Sequence, residues 1–284
     1  MFLRASGGTE ISTFELTKRI PEYKNLVSVS DCNLKKPILH QHQAHDQPSV
    51  QILKYTQYNY EKIVFVSKWQ SKMFQEYLNI DPSKCIVIGN GINPLPSYNK
   101  PKDCINLYYN STPFRGLDIL IEAFSKLNLP NVYLHVFSGM GIYGRDETDF
   151  LNLYSKIKTT KNARFYGPVA PIYLHDWIAR YGHIHTYPNS WAETYCMATH
   201  ESQSGRSLVL CSDLGALSET VPFGIFYNYT ADKEKHIDIF TNHLSDVIKY
   251  YNSYSTILDK QKDYADNLSW DYRAIQWREI LDGI

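Results

Sequence analysis

The chain has 284 residues, enough for one large domain or two modest ones, and 29 Lys+Arg against 29 Asp+Glu give a formal net charge of zero. That balance argues against a nucleic-acid protein, whose phosphate contacts require a basic surface. Cys32, Cys85, Cys104, Cys196 and Cys211 are scattered without a CxxC pair, which reads as free thiols in a reducing compartment. No apolar stretch approaches the roughly 20 residues of a membrane span and no leader peptide is visible, so a soluble, cytoplasmic protein without an integral membrane segment is expected.

In chain order, short apolar runs alternate with helix-length amphipathic segments, the pattern of an α/β protein with parallel sheets. Strands are expected at Met1–Ala5, Leu26–Ser30, Pro37–His42, Lys62–Val66 and Cys85–Ile88, with helices at Glu10–Arg19, Ser49–Tyr58 and Lys68–Leu78 between them. Asn93-Pro-Leu-Pro96 and Ser97–Asp103 read as a linker. A second series follows, with strands at Cys104–Tyr109, Val132–Phe137, Ala163–Tyr166, His183–Tyr187, Leu208–Cys211 and Gly224–Tyr227. Its helices are expected at Gly116–Lys126, Thr148–Lys156, Pro171–Arg180, Cys196–Ser202, Ala216–Thr220 and Lys233–Tyr251, and Ser269 caps a final amphipathic helix. Two doubly wound domains result, 1–96 and 97–269, with a cleft between them and helix 270–284 returning to the first.

Glu193-Thr-Tyr-Cys-Met-Ala-Thr-His-Glu201 is the densest functional stretch. Carboxylates eight positions apart fall roughly 80° from each other around a helix, so they cannot share one face. Glu193 is therefore assigned to the loop before a helix beginning near Cys196, and Glu201 to its interior. Such a helix N-terminus attracts anions, and the flanking carboxylates suit hydroxyls. A sugar nucleotide meets both demands.

Six motifs in register carry a family resemblance. They are Gly7-Gly8-Thr9-Glu10, Phe65-Val66-Ser67-Lys68-Trp69-Gln70, Ile88-Gly89-Asn90-Gly91-Ile92, Ser111-Thr112-Pro113-Phe114-Arg115-Gly116-Leu117, Phe165-Tyr166-Gly167-Pro168-Val169 and the E-x7-E pair Glu193/Glu201. Over nearly its whole length the chain resembles the retaining GT-B glycosyltransferases of family 4, with a shortened first domain. The resemblance implies transfer of a hexose-type sugar from an NDP-sugar, UDP- or GDP-linked, to an acceptor hydroxyl without an essential metal or other cofactor. It also implies a donor site of Gly7, Gly8, Ser111, Tyr166, the amides of Cys196, Met197 and Ala198, and Glu201 on the ribose. Glu193 would hold the transferred sugar and Arg115 would offset charge on the leaving diphosphate. Gly7 and Gly8 would let backbone approach phosphate through their tolerance of positive φ.

Bland alternatives stand beside these readings: a solvent-facing glutamate for Glu201, a helix-capping acid for Glu193, a surface charge for Arg115 and plain turn residues for the glycines. His40, His42, His45 and Asp46 form a second polar cluster, but strand alternation leaves His40 and His42 without a clear third metal ligand. The resemblance implies that a histidine here contacts the donor sugar, His45 before His42. The chain departs from the family at Asn110, where an arginine is usual; Ser111 and Thr112 compensate only partly, because neutral donors bond more weakly than charged ones. Two other readings remain, a degenerate sugar-nucleotide-binding protein and a sugar-nucleotide epimerase on the same fold. The acceptor stays open among soluble carbohydrate, lipid-linked glycan and protein, as does peripheral membrane association.

Overall fold

The computed structural model describes residues 7–141 and 144–283; the strand expected at Met1–Ala5 lies outside them. The first sheet has four parallel strands in the order β1 (Val27–Val29), β2 (Ile38–Gln41), β3 (Lys62–Phe65) and β4 (Cys85–Val87). The second contains β5 (Ile105–Tyr109), β6 (Val132–Val136), β7 (Ala163–Phe165), β8 (Ile184–Tyr187), β9 (Leu208–Ser212) and β10 (Ile225–Tyr227). Its order is β10-β9-β8-β5-β6-β7, parallel throughout. Chain progression therefore reverses between β5 and β8, and doubly wound sheets bind ligands outside the carboxyl ends of strands at such a switch point.

The strands near the middle of these sheets are largely buried. β2, β8 and β9 have no exposed position, as parallel sheets covered on both faces require. Ahead of the first sheet runs α1 (Gly8–Arg19), followed by the single turn α2 (Tyr23–Leu26). After β3, α4 (Lys68–Leu78) begins at Ser67, whose hydroxyl accepts from the Gln70 amide at 3.0 Å, and ends at Asn79 in the left-handed region. In the second unit, α5 (Leu117–Leu127) buries Leu117, Leu120, Ile121 and Phe124, an i, i+3, i+4, i+7 stripe facing the sheet. α6 (Leu151–Thr159), α7 (Pro171–Tyr181), α8 (Met197–Ser204), α9 (Leu217–Thr220), α10 (Lys233–Lys249) and α11 (Ser255–Asp266) complete it.

Ser269 caps the last helix, α12 (Trp270–Leu281), accepting from the Tyr272 amide at 3.2 Å. α12 buries Trp270, Ala274, Trp277 and Leu281 in one cluster with Leu16, Ile20, Tyr23 and Ile38. Tyr23 meets Trp277 edge to face at 5.0 Å, and Arg19 Nε donates to Asp271 at 2.6 Å.

Two stretches depart from the sequence reading. The helix expected over Ser49–Tyr58 is a chain of turns: a 3-10 turn at Pro48–Val50, the single turn α3 (Leu53–Thr56), and a 3-10 turn at Gln57–Asn59. Gln51 Nε2 donates to the carbonyls of His45 and Gln47, and the Gln57 amide bridges Asn79 and Asp81, so side chains reinforce the short turn bonds of this backbone. α11 was not expected, because its inward stripe of Leu258, Gln261 and Ala265 is interrupted by a glutamine that donates to the Phe223 carbonyl. Residues 93–103 lack regular structure but are anchored. Lys100 Nζ reaches the carbonyls of Gly182, Gly205 and Arg206 and the Ser207 hydroxyl.

Candidate functional site

Two loops leave the switch point side by side, one after β5 and one after β8. In the first, the Tyr109 hydroxyl donates to the Thr112 carbonyl at 2.6 Å and a 3-10 turn at Pro113–Arg115 ends on Gly116. Gly116 has φ +97°, and a Cβ there would lie 1.9 Å from the Pro188 carbonyl oxygen, so only glycine lets the loops touch. The contact brings Arg115 to Glu193: Nη1 donates to Oε1 at 2.5 Å. The Tyr187 hydroxyl donates to the same oxygen. From below, the Ala216 amide donates to the Glu193 carbonyl at 2.8 Å, and Gly215, at φ +76°, leaves the room this bridge needs. Glu193 is thus only 4 % exposed and held by Arg115, Tyr187 and the Ala216 amide, in the loop and not in the helix.

Cys196 turns this loop into α8 with φ +68°, a left-handed conformation that glycine adopts without strain. Burial pushes its thiol up to about 12, with the Glu193 charge adding to the shift, so the thiol stays protonated at neutral pH. α8 opens onto the cleft without a side-chain cap, and Cys196, Met197 and Ala198 line that mouth. Five positions into the helix, Glu201 pairs with His175 of α7, Oε1 to Nε2 at 3.1 Å. Burial works to lower the His175 pKa, but the charge and hydrogen bond of Glu201 prevail and hold it above its ordinary 6.5.

The first unit closes the other wall. Gly7, Gly8 and Thr9 at the start of α1 line the cleft, as does His42 just past β2. Neither glycine uses a left-handed backbone, contrary to expectation: Gly7 has φ −75° and Gly8 is helical. What glycine supplies is closeness, since a Cβ on Gly8 would already touch Met197 Sδ at 3.4 Å. The Thr194 hydroxyl donates to the His42 carbonyl at 3.0 Å and the Tyr195 hydroxyl to the Asn90 carbonyl at 2.8 Å, tying the walls together. Burial lowers the His42 pKa to about 4, so its ring is neutral at pH 7.

Glu193, Arg115, Gly7, Gly8, Ser111, Cys196, Met197, Ala198, Glu201 and His42 therefore line one cleft. Two expected residues do not. His45 packs its ring against Tyr77 at 4.7 Å and Trp69 at 6.3 Å. Tyr166 stacks on Phe137 at 4.8 Å and bonds His135 Nδ1 at 3.0 Å; Phe137, Pro168 and Val169 line that side of the cleft in its place. His40 turns into the core, its Nδ1 on the Tyr23 hydroxyl at 2.6 Å. Among the described residues, no group of three or more His, Cys, Asp or Glu is placed to hold a metal ion.

Sequence reasoning missed His175, Tyr187 and Phe137, none of which belongs to a spaced motif, and gave Thr194 no role although it lies between Glu193 and Glu201. It also gave no hint that several polar atoms at the cleft are sealed without partners. Asn90 Oδ1, both carboxamide atoms of Asn110 and Thr112 Oγ1 are buried with no hydrogen-bond partner among the described residues.

No protein-family model and no curated protein matches the chain. Solved structures do. Sucrose-phosphate synthase from Thermosynechococcus elongatus superposes with a TM-score of 0.74 at 14% identity, over 88% of this chain and 68% of that one. Anabaena HepE in complex with UDP-glucose gives 0.68 at 16% identity, over 96% and 77%. A glycosyltransferase from Rickettsia africae gives 0.62 at 17%, over 99% and 83%. At these identities the likeness is one of architecture: the chain has the GT-B fold, two parallel α/β sheets, with the loops after β2, β5 and β8 lining one cleft.

Proposed function

We propose that the protein is a retaining glycosyltransferase that moves a hexose-type sugar from an NDP-sugar to an acceptor hydroxyl. Residues 97–269 would grip the donor, and residues 1–96 would supply the acceptor side. The observation that carries the reading is the Arg115–Glu193 pair beside the uncapped start of α8, at the β5/β8 switch point. The helix amides and Arg115 supply positive charge where a diphosphate leaves, without calling on a metal. Glu201 would accept from ribose hydroxyls and Glu193 from the sugar. The HepE complex with UDP-glucose supports a UDP-sugar as the first donor to test.

In the reaction the C1–O bond to the diphosphate breaks as the acceptor oxygen bonds C1 on the same face. The acceptor proton passes to the departing phosphate oxygen. No side chain is needed as nucleophile. Glu193 is occupied by Arg115 and Tyr187, and burial keeps the Cys196 thiol protonated. His42, neutral and cleft-facing, is better located for a sugar contact than His45.

One observation favours a second reading, a sugar-nucleotide-binding protein without turnover: Asn110 brings no cation to the diphosphate side. Calorimetry of UDP-, GDP- and ADP-glucose against the wild type and Glu201→Ala, followed by an assay of donor hydrolysis, separates the readings. One donor bound, lost in the variant and turned over, supports the transferase. Binding without any hydrolysis supports the second reading, and no binding of any donor defeats both.

A further inference from the structure

Asn110 stands directly after β5 and lines the cleft, yet its Oδ1 and Nδ2 are both buried and neither finds a partner among the described residues. Thr112 Oγ1, two positions on and also lining the cleft, is in the same state. Buried amides and hydroxyls are nearly always bonded, so an orphaned pair at a cleft wall indicates groups arranged for something that enters.

The chemistry of the carboxamide says what enters. Nδ2 can only donate and Oδ1 can only accept. A phosphate oxygen can only accept, so it satisfies Nδ2 and sets a negative oxygen against Oδ1. A hydroxyl does both jobs and satisfies both ends. The Thr112 hydroxyl can likewise give or take a hydrogen bond. Arg115, the cation of this loop, already serves the side nearer Glu193 and α8.

We infer that Asn110 and Thr112 form a hydroxyl-reading subsite that selects the donor by its sugar and not by its phosphates. The inference rests on the function proposed above and adds to it: the specificity of the site resides in neutral groups on the β5 loop.

The test compares a sugar nucleotide with its parent diphosphate. Whichever of UDP-, GDP- or ADP-glucose binds the wild type is titrated calorimetrically against wild type, Asn110→Ala and Asn110→Leu, beside the diphosphate alone. Affinity for the sugar nucleotide should fall about tenfold in both variants while that for the diphosphate holds. Equal losses for both ligands would make Asn110 a contact of the nucleoside diphosphate that the two share and overturn the subsite, as would no loss for either. Asn110→Leu keeps the volume and removes the orphaned atoms, so the ligand-free variant should melt no lower than wild type. A clear drop in its melting temperature would mark Asn110 as a structural amide and also overturn the inference. Failure of the wild type to bind any of the three sugar nucleotides would instead defeat the functional reading itself.

Discussion

Arg115 reaches Glu193 across the β5/β8 switch point, its Nη1 donating to Oε1 at 2.5 Å, while Tyr187 donates to the same oxygen from beneath. One carboxylate oxygen thus receives a cation and a phenol, and both hold it at the start of α8. The pair is more open on the arginine side than on the glutamate side, so the guanidinium is the more accessible of the two to a ligand in the cleft.

Removing the arginine should therefore hurt chemistry more than binding. Arg115→Ala is expected to lower donor turnover by about 10²–10³-fold, the range for loss of one charge-stabilising donor. Tyr187→Phe, which removes a hydrogen bond without touching the cation, should cost about 1 kcal/mol of stability and less than tenfold in turnover. Donor hydrolysis followed by nucleotide release measures both. Unchanged turnover in Arg115→Ala would remove the pair from the mechanism.

His175 and Glu201 predict a pH dependence. The His175 pKa lies above its unfolded 6.5 because Glu201 outweighs the effect of burial. A raised value in the folded state means that the proton stabilises the fold. The pair's contribution is then complete below about pH 6.5 and is lost as pH climbs through the higher folded value. Thermal melts of wild type and His175→Gln from acid to alkaline pH should converge as pH rises. A gap that is constant with pH would mean His175 acts by packing alone.

Gly116 should resist substitution more than another glycine with positive φ. Gly167, at φ +72°, has no atom within 4 Å of a would-be Cβ, whereas Gly116 would drive a Cβ into the Pro188 carbonyl at 1.9 Å. Gly167→Ala is expected to cost about 1–2 kcal/mol of backbone strain, and Gly116→Ala that amount plus the clash. Chemical denaturation of both variants gives the difference. Equal costs would show that the two loops separate freely, and the Arg115 placement would lose its explanation.

The strands were legible because the physics that writes them is local. Runs such as Ile63-Val64-Phe65 and Leu208-Val209-Leu210-Cys211 are buried and read as continuous apolar stretches. The separation of Glu193 from Glu201 followed from helical geometry alone, and Ser269 announced its helix as a cap. What escaped was set by tertiary contact. His175 faces the cleft from a helix whose neighbours Leu174, Trp177 and Ile178 give only an apolar signal. The left-handed turn at Cys196 carries no sequence mark, since a cysteine occupies a conformation that glycine usually announces. Asn110 was visible as an odd residue, but its orphaned atoms follow from the packing of the loop around it.

Glu219 makes the final case, because it joins the two units. It lies in α9, yet its carboxylate accepts from the Lys68 and Trp69 amides at 2.8 Å each, at the start of α4 in the first unit. These are two of the amides that a helix N-terminus leaves unsatisfied, and the negative charge also suits the helix dipole. Ser67 serves the Gln70 amide, so α4 is capped from within by one residue and from across the cleft by another. Glu219→Ala should cost about 1 kcal/mol and speed amide exchange at Lys68 and Trp69 while leaving Gln70 protected. Glu219→Gln keeps one accepting oxygen but loses the charge, so its effect should fall between. Added salt should narrow the gap between wild type and Glu219→Gln, because the site is exposed and its electrostatic part is screened. If exchange rose at none of the three amides, the capping would be a property of Ser67 alone. Thr194 and Tyr195 would still join the units through the His42 and Asn90 carbonyls.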